Sequence, residues 1–202
     1  MNKRTELPTA ENSSNFNRVA GATCQVGTTL ENLKAAVCGE TGASAKYAAC
    51  AKLAKEKGYE QLGRLWEATS AAEQVHIRLE AGLVEELEPG YERPTADAPE
   101  LEEIDLNLIA SANGEIFETS DMYPTFIKKA QEEGHAKAVK VFTRAKLAEA
   151  VHAEKYLEAY NNIDAADDDA YYLCPGCGYI HKGDDFEKCP ICGVPKAKFQ
   201  RF

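Results

Sequence analysis

Two Glu-x-x-His pairs stand at the same distance behind a glycine. Glu73 and His76 lie 15 and 18 residues after Gly58, and Glu149 and His152 lie 15 and 18 residues after Gly134. Residues three apart share one face of a helix, so each pair projects two ligand-type side chains from one helix. One such pair arises readily by chance. Two in matched positions impose a repeated plan, a helical hairpin made twice. In an antiparallel hairpin the partner residues should lie about as far before the turn, and acidic residues stand there. Glu40 is 18 residues before Gly58, and Glu115 and Glu118 are 19 and 16 before Gly134. Seven side chains thus converge on one level of a bundle.

The surrounding text supports four long helices, each with apolar residues at three- and four-residue steps. Helix one is expected from Thr28 or Thr29 to about Lys57, with a Thr cap and no capping box at Thr29–Asn32. Helix two should run from Tyr59 to about Leu87. Helix three should span Glu100 to Glu133, with Pro124 kinking it near Tyr123, and helix four His135 to about Asn161. Pro89, Pro94 and Pro99 make 88–100 a connection. A short turn, a long connection and a second short turn match an all-α four-helix bundle with one long crossover. The second hairpin must pack on the first, within one chain or across a dimer. The domain plan is then a flexible tail over 1–27, the bundle over 28–163, a solvated acidic linker over 164–170 and a small domain over 171–202.

Composition narrows the function classes. The chain carries 33 acidic and 23 basic side chains, a formal net charge of −10. That surface is a poor match for the phosphate backbone of nucleic acid or for an anionic membrane. No apolar run is long enough to span a bilayer, and residues 1–27 lack the core of a signal peptide. Of the seven cysteines, Cys24, Cys38 and Cys50 have no motif spacing, and Cys38 and Cys50 read as small buried hydrophobes. A reducing cytoplasm fits this usage.

The converging glutamates need compensation. Buried carboxylates without partners are costly, and five on one level repel unless cations intervene. Five carboxylates against two divalent ions leave the site near neutrality. Oxidation of the metals adds charge that an oxo or hydroxo bridge offsets. Carboxylates with two imidazoles suit iron or manganese, and glutamates from two helices with two Glu-x-x-His motifs are a di-iron bundle signature. Helix three offers two glutamates where one suffices, so one of Glu115 and Glu118 would bind in only one oxidation state. Tyr47, seven residues after Glu40, and Tyr123, eight after Glu115, could each bring a hydroxyl to the metals. Packing with an incidental hydroxyl is the plainer alternative.

The last domain holds Cys174-Pro-Gly-Cys177-Gly and Cys189-Pro-Ile-Cys192-Gly. Paired C-x-x-C motifs of this kind make a tetrahedral metal site. So short a domain has little core, and the metal must carry its fold. Four thiolates accept zinc or a single iron. A neighbouring di-iron site needs electrons one at a time, which favours iron. Tyr172, Tyr179, Phe186 and Phe199 should wrap it.

These pieces together resemble rubrerythrin, over about residues 30–202. They are Gly39-Glu40 with Tyr47, Glu73-Gln-Val-His76, the run Asn107 to Glu115 followed by Glu118, Met122-Tyr123-Pro124, Glu149-Ala-Val-His152 and the rubredoxin-like cysteine pattern. The resemblance implies a ferritin-like bundle followed by a rubredoxin-like β domain. It implies a non-haem di-iron peroxidase that reduces hydrogen peroxide to water. Its electrons would come from NAD(P)H through a reductase and a rubredoxin or similar carrier. The tetrathiolate iron would pass them to the di-iron site, commonly across a head-to-tail homodimer. By resemblance the di-iron ligands are Glu40, Glu73, His76, Glu115, Glu118, Glu149 and His152, with His76 and Glu118 exchanging as the oxidation state changes. Tyr47 and Tyr123 are the candidate catalytic hydroxyls, and His135 and His181 are expected at the surface. A di-iron oxidase or oxygenase, and a ferroxidase or iron-storage protein, are the alternatives.

Overall fold

The computed structural model describes residues 24–163 and 167–202. Most of the expected N-terminal tail, and Asp164 of the linker, lie outside the described residues. Five α-helices build the bundle: α1 (Thr29–Glu56), α2 (Glu60–Leu87), α3 (Ile104–Phe117), α4 (Tyr123–Glu132) and α5 (Ala136–Asn161). A π-helical turn, Glu118–Met122, joins α3 to α4, so that the two serve as one interrupted rod. The fold is the expected one, a four-helix bundle with one long crossover, followed by a small sheet.

Each helix buries a stripe at alternating four- and three-residue steps. On α1 it runs Leu33, Val37, Glu40, Ser44, Tyr47, Ala51, Ala54. On α2 it includes Leu62, Trp66, Thr69, Glu73, His76, Glu80. On α5 it runs Ala138, Phe142, Ala145, Glu149, His152, Tyr156. Polar side chains therefore occupy positions that packing geometry reserves for the core. Apolar clusters close the bundle above and below them. One holds Leu65, Trp66, Leu108 and Tyr156, the other Leu33, Phe126, Ala138 and Phe142. Helices α1 and α2 pack as one hairpin and α3–α4 with α5 as the other. In this single chain the two hairpins dock on each other.

Several boundaries differ from the sequence reading. The cap of α1 is Thr28, and Glu31 completes a capping box that the reading placed nowhere. Helix α3 begins at Ile104 rather than near Glu100, because the Asn107 amide bonds both the N–H and the carbonyl of Glu102 and holds that peptide outside the helix. The expected kink near Tyr123 is the π turn, which takes in one extra residue and leaves Pro124 in the first turn of α4. Gly58 and Gly134 end their helices at φ of 84° and 75°, the left-handed conformation that a C-terminal turn requires.

The small domain has strands β1 (Tyr171–Leu173), β2 (Ile180–Lys182) and β3 (Gln200–Arg201), ordered β2-β1-β3 and antiparallel. Its sheet is not free of the bundle. Tyr171, Leu173 and Ile180 belong to the same apolar cluster as Trp66 and Tyr156. Polar contacts secure the seam. Arg78 donates to the Pro175 carbonyl at 2.7 Å, and Lys182 pairs with Glu158 at 3.1 Å and with Asp167. Gln61 donates to the Asp169 carbonyl, and Arg64 faces Asp168 at 3.5 Å. The described part of the acidic linker is thus tied to the bundle, not a purely solvated hinge. Cys50 is buried as expected, but Cys38 is exposed, since it falls on the outer face of α1. No helix among the described residues is long and apolar enough to cross a membrane.

Candidate metal centres

At mid-bundle, ligand-type atoms from all four rods gather into two overlapping groups. Glu40, Glu73, His76 and Glu149 form one, and Glu73, Glu115, Glu149 and His152 the other, with the atoms of each within 4.8 Å of one another. Glu73 and Glu149 belong to both. Two cations, one in each group, would share Glu73 and Glu149, and each would have one further glutamate and one histidine to itself. Every one of these side chains is at most 1 % exposed. His76 Nδ1 lies 2.7 Å from Glu149 Oε1, 3.0 Å from Glu73 and 3.7 Å from Glu40. His152 Nδ1 lies 2.7 Å from Glu149 Oε2, 3.5 Å from Glu115 and 3.9 Å from Glu73.

The outer nitrogens fix what the inner ones must be. His76 Nε2 lies 3.0 Å from the Cys177 carbonyl, and His152 Nε2 lies 2.9 Å from the Gly178 carbonyl. A carbonyl only accepts, so both Nε2 atoms carry hydrogen, and in the neutral ring Nδ1 presents a lone pair. Two such lone pairs face a ring of carboxylate oxygens. Glu40 Oε2, Glu73 Oε1, Glu115 Oε2, both Glu149 oxygens and His152 Nδ1 are buried without a well-aligned hydrogen bond. Donor atoms aimed at one another in a dry interior fit cations placed between them.

Electrostatics agrees. Burial, then Glu149, pushes the Glu115 carboxyl up to about 8, and burial with Glu149, Glu115 and Glu40 drives Glu73 well above the carboxylate range. Burial also opposes ionisation of Glu149, but the two imidazoles beside it outweigh that and hold it low. The protein frame alone disfavours four ionised carboxylates here, and two dications would offset their charge.

The tyrosines cross between hairpins. Tyr47 of α1 donates to Glu115 of α3 at 2.6 Å. Tyr123 of α4 donates to Glu40 of α1 and lies 2.9 Å from Glu80 of α2. Each was expected to bring a hydroxyl to the metals from the face that carries its own rod's glutamate. Both hydroxyls are at the site, and each serves the opposite hairpin.

In the small domain the four cysteine sulfurs lie within 4.8 Å of one another, with Cys174–Cys192 at 3.4 Å and Cys177–Cys189 at 3.5 Å. Metal–sulfur bonds near 2.3 Å set tetrahedral edges of about 3.8 Å, close to these values. The two knuckles repeat each other. Gly178 N–H donates to the Cys174 carbonyl and Gly193 N–H to the Cys189 carbonyl, each at 3.0 Å, with φ of 80° and 77°. Phe199 and Tyr179 pack on the cysteines, and Phe186 bridges Tyr172 and Phe199. His181 is not simply a surface residue. Its ring packs at a tilt against Phe186, centroids 4.3 Å apart, and it bonds Tyr179 and Asp185.

Family models match both parts of the chain: "Rubrerythrin" over residues 31–160 and "Rubrerythrin, rubredoxin-like domain" over 172–200. The chain belongs to the rubrerythrin family. It is 66% identical over 202 residues to nigerythrin of Nitratidesulfovibrio vulgaris, covering 100% of both chains. It is 33% identical over 180 residues to rubrerythrin of the same organism, covering 85% of this chain and 93% of that one. The solved structure of fully reduced, all-ferrous nigerythrin superimposes with a TM-score of 0.91, covering 100% of both chains. The two donor sets fit a rubrerythrin's iron cofactors: a di-iron pair in the bundle and an iron at the four cysteines. The family is one of di-iron oxidoreductases.

Of the seven expected bundle ligands, six fall in the two groups. Glu118 does not. It opens the π turn, is partly buried, and stands outside both sets. Glu80 was missed altogether. It lies seven residues after Glu73 and four after His76, on the same helix face, and it is fully buried. That spacing was a readable signal, but it has no counterpart glutamate in the second hairpin.

Proposed function

We propose that this rubrerythrin is a peroxidase that reduces hydrogen peroxide to water. Its electrons derive from NAD(P)H through a reductase and a rubredoxin-type carrier, and they enter at the tetrathiolate iron. In this reading Glu40, Glu73, His76, Glu115, Glu149 and His152 hold the iron pair. Glu118, which burial and the charges of Glu40, Glu149 and Glu115 push well above the carboxylate range, is the residue that would exchange with His76. Cys174, Cys177, Cys189 and Cys192 hold the single iron.

The observation that carries the proposal is the contact between His76 and the Cys177 carbonyl. Cys177 offers its sulfur to one centre and its carbonyl to an imidazole of the other, a few covalent bonds and one 3.0 Å hydrogen bond apart. Such a link would join an electron carrier to a redox site, and here it lies within one chain. An iron-storage reading leaves the docked cysteine domain without a task. An oxygenase reading needs room for an organic substrate. The clefts of about 880 and 690 Å³ are lined by Arg64, Asp168 and Lys182, and by Lys52, Gln74 and Phe202, and by none of the site's ligands.

When bound, the iron pair supplies two electrons and Lewis acidity to an O–O bond. The chain's own groups do the rest. The Nε2–H donors to the Cys177 and Gly178 carbonyls orient both imidazoles. Tyr47 and Tyr123 hold Glu115 and Glu40 by their outer oxygens. The apolar clusters exclude bulk water. Rapid mixing of the diferrous protein with peroxide, and separately with dioxygen, tests the reading. Oxidation by peroxide should be much the faster, and equal rates would transfer the assignment to an oxidase.

A further inference from the structure

The two Glu-x-x-His helices of the bundle site differ at the residue four beyond each histidine. There α5 carries Tyr156 and α2 carries Glu80. Tyr156 turns its hydroxyl to Thr69 and packs on the Tyr47 ring at 5.6 Å. Tyr47 is left with one carboxylate partner, Glu115. On the other side Tyr123 meets two, Glu40 and Glu80. Glu80 is 0 % exposed, and its Oε2 finds no hydrogen-bond partner.

Counting hydrogens orders this triad. A phenol has one proton to donate and lone pairs to accept with. Tyr123 donates to Glu40, a carboxylate of one of the two donor groups, which must stay ionised to hold a cation. With its proton on the Glu40 side, it can meet Glu80 only as an acceptor, and Glu80 must then supply the hydrogen. The groups facing Glu80 are Glu40 on α1, His76 on its own helix, Tyr123 on α4 and Glu149 on α5. Burial, and after it Glu40, disfavours the Glu80 carboxylate, while His76 and the Tyr123 hydroxyl favour it.

We propose that Glu80 stores a proton for the Glu40–His76 half of the site and delivers it through Tyr123. This rests on the peroxide reading given above. Reduction of one peroxide breaks the O–O bond, consumes two electrons from the reduced site and two protons, and yields two waters. Glu80 supplies one of those protons. Its O–H proton moves to the Tyr123 oxygen as the phenol proton moves past Glu40 to the departing oxygen, and solvent restores Glu80 between turnovers. Glu80 is a positioning and proton-holding residue, since it acts through Tyr123 and does not touch the substrate.

The test compares iron-loaded wild type with Glu80→Gln and Glu80→Asp. Near neutral pH the wild type should show the infrared band of a protonated carboxyl, shifted in deuterated water, and Glu80→Gln should lack it at unchanged iron content. Oxidation of the diferrous protein by peroxide should slow about a hundredfold in Glu80→Gln, at the low end of general-acid effects, with a changed solvent isotope effect. Glu80→Asp should recover part of the rate. A carboxyl band that is missing from wild type or survives in Glu80→Gln overturns the proposal, and so do an unchanged rate and isotope effect. If wild type is oxidised no faster by peroxide than by dioxygen, the peroxidase reading falls by itself, and the band still decides whether Glu80 holds the proton.

Discussion

The bundle and the cysteine domain hold metal in opposite ways. In the bundle, long helices with apolar clusters on both sides force carboxylates into a dry level, and cations relieve the conflict. In the cysteine domain, short strands and two glycine turns surround the sulfurs with little apolar interior of their own. One frame would exist without its metal and pays for it in repulsion, whereas the other has no frame until the metal arrives.

Metal removal should expose that difference most strongly. A chelated preparation is expected to keep nearly all its helical circular dichroism while residues 171–202 lose amide protection in hydrogen exchange. Equal loss in both regions would erase the contrast. Single substitutions should then separate the centres. Glu149→Ala takes a bridging carboxylate from both groups and should empty the bundle of iron while the visible bands of the tetrathiolate persist. Cys177→Ser should do the reverse, abolishing those bands and reductive turnover, while a chemically reduced bundle site still reacts once with peroxide. Iron analysis and visible spectra read both results.

A subtler change would strain the seam between the regions. Gly178 lies at φ 80° and a Cβ there would overlap the His76 ring. Gly178→Ala should cost about 1–3 kcal/mol in backbone strain and push the cysteine loop from the histidines. Turnover with the electron carrier should slow more than single-turnover oxidation by peroxide, and equal slowing would mean that the contact does not serve transfer.

The smallest expected effect concerns the bundle alone. Glu133 accepts from the Thr29 N–H at 2.8 Å, and the Thr29 hydroxyl and N–H hold its carboxyl down to about 2, below the usual 4.5. A lowered folded-state value stabilises above the unfolded value and is lost as pH falls through the folded one. Melting curves of wild type and Glu133→Gln should therefore differ slightly at pH 6 and converge between pH 4.5 and 2. A gap that widens on acidification would show that the bond does not carry this effect.

Much of this was readable along the chain, because hairpin geometry converts residue distances into heights. The equal offsets from Gly58 and Gly134 place Glu73, His76, Glu149 and His152 together, and the cysteine spacing announces its own site. What escaped depends on contacts between distant segments or on departures from regular pitch. The partners of Tyr47 and Tyr123 follow from how two hairpins dock, which no local period encodes. The π turn escaped because a 3.6-residue period was assumed throughout. With its extra residue removed, the eight-residue step from Glu115 to Tyr123 acts like the seven-residue step from Glu40 to Tyr47. The start of α3 was misplaced because acidic residues 100–103 carry no sign of the Asn107 side chain that restrains them. Glu80 escaped because its equivalent in the second hairpin is Tyr156, so no repeated pair marks it.

The crossed tyrosines also bear on the order of assembly. Neither hairpin alone supplies the hydroxyl that steadies its own terminal glutamate, since Tyr47 reaches to Glu115 and Tyr123 to Glu40. The bridging carboxylates likewise come one from each hairpin. Iron capture at the bundle therefore reports the last event of folding, the closure of contacts about 70 to 80 residues apart in the chain, the kind whose loop entropy makes them slow to form. A refolding chain would gain its helices first and its affinity for iron only afterwards.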